Sequence, residues 1–249
     1  MTNNRKILLL VEDKIKGKRL FTRLLNSYGI FQQHQIVSYK TNIYSLYNSI
    51  FRYKDHDYLD ILTHLREHEI DHEKKLIFNE RYTDIILVFD LDPQEPNFES
   101  EKIIKMLEFF NDSTEMGKLY IDYPMIEAFH HMYSLPDPNY YSYFISFNDI
   151  KQYKSLIKNI VKNQDHKIFK TSRAVFNIII NQNLEKAWHI ISNSKKLITN
   201  KSILPNPMHI LKKQLNFLSD KNEIAILCTC IFYIADYNPQ LLFLECNEF

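Results

Sequence analysis

Two aspartates one residue apart, Asp90-Leu91-Asp92, end an unbroken apolar run, Ile85-Ile86-Leu87-Val88-Phe89, and Pro93 follows directly. A second acid, Glu12, closes another apolar run ending at Val11, and a third candidate, Glu127, lies in the stretch Pro124-Met125-Ile126-Glu127-Ala128-Phe129. Carboxylates held close together repel one another unless a cation lies between them. The ion that such hard oxygen donors suit is Mg2+, or Mn2+ in its place.

The elements that must position these acids can be read from hydrophobic spacing. A run without alternation suits a strand buried on both faces of a parallel sheet, and Pro93 forbids further pairing. Lys6 to Val11 reads as the first such strand; Lys14 to Tyr28, with Ile15, Leu20, Phe21, Leu24 and Leu25 at helical spacing, reads as the helix after it, closed by Gly29. A second strand is expected near Gln35–Tyr39. Residues 41–81 read as a helical insertion, with stripes at Ile43, Leu46, Tyr47 and Ile50 and at Leu59, Leu62, Leu65 and Ile70. Ser100–Phe110 is expected to be a helix capped by Ser100, Lys118–Tyr123 a strand, and Tyr143–Phe147 a last strand. Pro124, at a helix N1 position, predicts a helix over Met125–Tyr133 with Glu127 in its first turn. The expected fold class is α/β, with a mainly parallel, Rossmann-like sheet flanked by helices over residues 1–147. In such a sheet, acids at strand carboxyl ends point into one crevice. Residues 148–249 are expected to be an all-helical region, built from 148–164, 175–192, 205–219 and 220–237.

Composition narrows the function. The 249 residues contain three glycines, so no Gly-rich phosphate loop exists, and nucleoside-triphosphate and dinucleotide fingerprints are excluded. The net charge of +1 conceals a split: residues 1–150 hold 23 acids and 17 bases, residues 151–249 hold 7 acids and 14 bases. An acidic half suited to a metal thus precedes a half tolerant of polyanions. Cys228, Cys230 and Cys246 are too few and too clustered for a disulfide framework, and no signal peptide or membrane span is visible, so the expected compartment is the cytoplasm.

Three further patterns need weighing. His68-Glu69-Ile70-Asp71-His72 matches HExxH, but its charged surroundings lack the dry wall that a catalytic zinc requires, and a solvated helix face is the better reading. Lys151, Lys154, Lys158 and Lys162 recur at i, i+3, i+7 and i+11. Such a row could follow a phosphate backbone, but a wet helix face is the commoner reading. Cys228 and Cys230 read as small buried hydrophobes, because a lone C-x-C lacks partner ligands.

The order Val11-Glu12, then Val88-Phe89-Asp90-Leu91-Asp92, resembles the TOPRIM fold of topoisomerases, bacterial primases and OLD-family nucleases, over about residues 5–147. Pro124–Phe129 is similar to the glutamate-bearing stretch of OLD-like effectors in phage-defence systems. The resemblance implies a Mg2+- or Mn2+-dependent nuclease acting on DNA or RNA. Asp90, Asp92 and Glu127 would hold metal, with Glu12 as ligand or general acid/base. It also implies a lysine beyond the core, for which Lys186 is the candidate, and a separately encoded ABC/SMC-type ATPase as partner. A homo-oligomer stays open. The sequence departs from the family pattern at Asp13, where glycine is usual, and at Lys16, where an acid is common. Two rivals remain: a catalytically silent interaction module, and a response-regulator receiver domain with Asp90 as phosphoacceptor.

Overall fold

The computed structural model describes residues 5–39, 41–52, 59–163, 172–192 and 204–242. Its centre is a five-stranded sheet in the order β2-β1-β3-β5-β4. The chain opens with β1 (Ile7–Val11), α1 (Lys16–Ser27) and β2 (His34–Ser38). Three short helices follow, α2 (Ile43–Ile50), α3 (Ile61–His68) and α4 (His72–Phe78), and occupy the stretch read as a helical insertion. β3 (Asp84–Asp90) then enters beside β1, α5 (Ser100–Phe109) crosses over, and the edge hairpin β4 (Asn111–Asp112) and β5 (Gly117–Asp122) completes the sheet.

β1, β2, β3 and β5 are parallel; only β4 runs against its neighbour. All five residues of β1 and the first six of β3 are buried, as expected of strands covered on both faces. The parallel order places β2 on one side of β1 and β3 on the other. The chain therefore reverses its winding direction between β1 and β3, and the crevice of a doubly wound sheet opens at their carboxyl ends. Those ends carry Glu12 and Asp90.

Beyond β5, residues Ile126–His130 form a 3₁₀ turn, not the α-helix expected over Met125–Tyr133. Two tertiary hydrogen bonds account for this: Ile126 N donates to Asp90 Oδ1 at 2.8 Å, and Asp92 N donates to Pro124 O at 3.0 Å. The stretch is held by the strand-end acids before helical pairing can start.

β6 (Phe144–Ser146) is followed by α6 (Tyr153–Asn163), the long α7 (Arg173–Ser192) and α8 (Pro207–Lys221). Asn206 caps α8 at its start, and Asn222, with φ +57°, ends it in the left-handed conformation. The expectation of an all-helical region over 148–249 is corrected at this point. Glu223–Ala225 form β7, which pairs antiparallel with β6, and Tyr123 and Leu227 exchange backbone hydrogen bonds of 2.9 Å. The run from Ile224 to Cys230 is buried on all sides, so its apolar sequence carries no period to separate strand from helix. A short α9 (Tyr233–Tyr237) comes last. Residues on both sides of position 147 thus share one core. Cys246 lies outside the described residues. Among the described residues, no helix is long and apolar enough to cross a membrane.

Candidate metal centre

Glu12 extends β1 by one step, its N–H donating to Val88 O at 3.1 Å, and its side chain turns along the sheet edge to accept from Asp90 N at 3.1 Å. Asp13 faces elsewhere: its carboxylate accepts the N–H of Ile15 at 2.7 Å and that of Lys16, opening the first turn of α1. Gly17 lets the helix approach the strand, since a Cβ there would lie 3.2 Å from Val11 Cβ. The close approach brings Lys16 to the mouth of the crevice.

Asp90 ends β3 and is tied to Ile126 N, as described above. Asp92 adopts φ +35°, a left-handed conformation that aspartate tolerates better than most residues, and its carbonyl accepts Glu95 N at 3.0 Å. The resulting turn folds the second aspartate back toward the sheet. Glu127 is 3 % exposed; Oε1 pairs with the Lys16 ammonium, whereas Oε2 is buried with no hydrogen-bond partner. Glu12, Asp90, Asp92 and Glu127 are thus brought to one crevice, from three separate parts of the chain.

Electrostatics shows how crowded they are. Burial pushes the Glu12 carboxyl up to about 7, against the Asp90 N–H that favours its charged form and with added repulsion from Asp92. Burial, then repulsion from Glu12, Asp122 and Glu127, holds Asp90 well above the usual carboxylate range. Asp92 is raised by burial and by Glu95. No three of these carboxylates close to within 4.8 Å of one another as a ready-made ligand shell. An ion bound here would be held by few protein oxygens and would keep several waters, as Mg2+ can. Glu127 Oε2, buried without a hydrogen-bond partner, is the oxygen that would be open to a cation there.

The structure adds residues that sequence reasoning missed. Glu95 accepts from Asn42 Nδ2 at 3.0 Å and repels both Glu12 and Asp92. Asp122 ends β5 directly opposite Asp90 in the register; it is fully buried and accepts the Cys230 N–H at 3.0 Å. Asp122, Cys228 and Cys230 form the one group of three metal-type ligand atoms within 4.8 Å among the described residues. The signal for Asp122 was present, as an acid ending the Lys118–Tyr123 strand, just as Asp90 ends its own.

The predicted lysines scatter. Lys154, on α6, faces the acids: burial lowers its pKa, but Glu127, Asp90, Asp92 and Asp13 together raise it further, and it eases the charge on Glu12. Lys158 is exposed one turn further along α6. Lys151 is exposed on the 3₁₀ segment before the helix, and the Lys162 side chain lies outside the described residues. Lys186, the candidate catalytic lysine, is not brought to the acids by any hydrogen bond. It is 1 % exposed and donates to Tyr140 O at 2.9 Å and Tyr143 O at 2.7 Å, with the Tyr140 ring 4.5 Å from Nζ. Its geometry is that of an internal tie between α7 and the segment leading into β6.

The HExxH pattern straddles a break: His68 ends α3, Glu69 is extended, and His72 begins α4. Glu69 is committed to the backbone N–H groups of Ile70 and Asp71 and to Lys74. The two histidines therefore share no helical face. Comparison with family models, with curated proteins and with solved structures gives no match for this chain.

Proposed function

We propose that the chain is a Mg2+- or Mn2+-dependent nuclease of TOPRIM type, hydrolysing phosphodiester bonds of DNA or RNA. One observation carries the reading: Glu12, Asp90, Asp92 and Glu127 meet at the switch-point crevice, where burial and the neighbouring carboxylates raise the pKa values of Glu12, Asp90 and Asp92. When bound, a divalent ion supplies the charge that draws a phosphodiester oxygen and the attacking water together. Glu12, at the end of β1 beside Asp90 N, would be the carboxylate that takes the proton from that water. Lys16 and Lys154 flank the acids and offer positive charge to the phosphate oxygens. With no phosphate loop of its own, the chain would depend on a separate ABC/SMC-type ATPase as the effector subunit of an anti-phage system in the cytoplasm; the family resemblance alone supports that part.

The test is Mn2+- and Mg2+-dependent cleavage of DNA and RNA by wild type, Asp90→Ala and Glu127→Ala. Loss of each carboxylate is expected to lower the rate by about 100-fold or more. Equal rates in all three proteins would end the proposal. The Lys16–Glu127 ion pair favours a second reading, in which a lysine already neutralises the cluster and the chain is a silent interaction module. Calorimetric titration with Mn2+ separates them, because the silent module takes up no ion.

A further inference from the structure

A cleft of about 400 Å³ lies between α1 and α6, and Glu127 forms part of its wall. Lys16, Arg19 and Arg23 line it from α1, at i, i+3 and i+7; Lys154 and Lys158 line it from α6, one turn apart. Five cationic side chains converge on one opening, and Glu127 is the single acid among the lining residues. Lys16 is paired with Glu127 and Lys154 also faces the acids, yet the lining as a whole keeps an excess of positive charge, which favours an anion. Apart from His130, the remaining wall is apolar: Leu20 and Val161 are partly buried there beside Ile157, and the Phe129 and Phe176 rings lie 5.9 Å apart. A basic rim over an apolar floor fits a ligand that is charged along one edge and flat and apolar along the other.

We infer that this cleft is a subsite for a single-stranded nucleic-acid segment: the phosphates next to the scissile bond run between the α1 and α6 bases, and a nucleoside rests against Leu20, Ile157 and Val161. The inference rests on the nuclease reading, because Glu127 is shared between cleft and metal centre. It selects among the four lysines of the row. Lys154 and Lys158 contact the strand; Lys151, which does not line the cleft, does not.

Binding measured without metal keeps the two readings apart. Fluorescence anisotropy of labelled oligo-dT and oligo-U twelve-mers, in EDTA and over a salt series, compares wild type with Arg19→Ala/Lys158→Ala and with Lys151→Ala. The double variant is expected to bind about 10-fold more weakly and to lose roughly 1–1.5 from the slope of log K against log salt, about 0.7 for each phosphate contact removed. Lys151→Ala is expected to change neither, and Mn2+ affinity is expected to stay the same in both variants. Unchanged oligonucleotide binding in the double variant, equal losses in both variants, or no binding by wild type would overturn the subsite. Uridine monophosphate or inorganic phosphate binding as tightly as the oligomers would also overturn it, in favour of a small-anion pocket. Failure of the nuclease reading shows separately, as absent Mn2+ binding or absent cleavage.

Discussion

Glu12 is the residue at which protonation and the proposed metal binding meet. Its folded pKa of about 7 lies above the ordinary 4.5, so between those values the folded chain holds a proton that the unfolded chain has lost. This carboxyl therefore costs stability as pH rises through that window, roughly 3 kcal/mol at completion. His34, His130 and His131, each lowered to about 4 mainly by burial, act in the opposite sense, adding stability as pH rises through their own window. The informative quantity is thus the difference between Glu12→Gln and wild type. In metal-free protein, Glu12→Gln should gain in Tm relative to wild type between pH 5 and pH 8, by scanning fluorimetry. Mn2+ should reverse that ranking at pH 8 by restoring wild type alone. A difference that stays flat with pH would show that Glu12 ionises normally.

Helix α7 works at the scale of an element. Its Lys186 Nζ satisfies two carbonyls of the segment before β6, and the Asn183 amide oxygen accepts from both Tyr140 Oη at 2.7 Å and Cys228 N at 2.9 Å. One helix face thus pins the Tyr140–Tyr143 turn and the Cys228 backbone together. Lys186→Met keeps the apolar stem but strands two carbonyls, and is expected to cost about 1–3 kcal/mol by denaturant unfolding. Mn2+ affinity should be unaltered. Full stability with lost cleavage would return Lys186 to the catalytic set.

At the scale of the whole molecule, the acidic front and basic back of the chain are folded against each other. α6, from the back, delivers Lys154 to the acids of β1, β3 and the 3₁₀ turn. β7 completes the pairing of β6, Leu227 completes that of Tyr123, and Cys230 N–H answers Asp122. A chain ended at residue 147 would leave all three unmet and would expose the apolar face that residues 224–235 cover. Such a truncation is expected to be insoluble or to melt without cooperativity. A soluble 1–147 fragment with a sharp thermal transition and wild-type Mn2+ affinity would show instead that the front half is self-sufficient.

By itself the sequence determined the strands of the parallel sheet and the acids at their ends. A strand buried on both faces must be apolar throughout, and the first charged residue after it marks its carboxyl end, as Glu12 and Asp90 do. The helical character of residues 41–81 was legible for a similar reason, since one-sided burial writes a period into the chain, although Ile70, expected on the second stripe, lies exposed in the break between α3 and α4. Tertiary structure alone decided the rest. The 3₁₀ form of Ile126–His130 depends on Asp90, 36 residues away, and β7 depends on β6, which local spacing cannot encode. Lys154 and Lys186 are both lysines on helices; one faces a ring of carboxylates and the other a pair of carbonyls, because a side chain's task is set by what the fold packs against it.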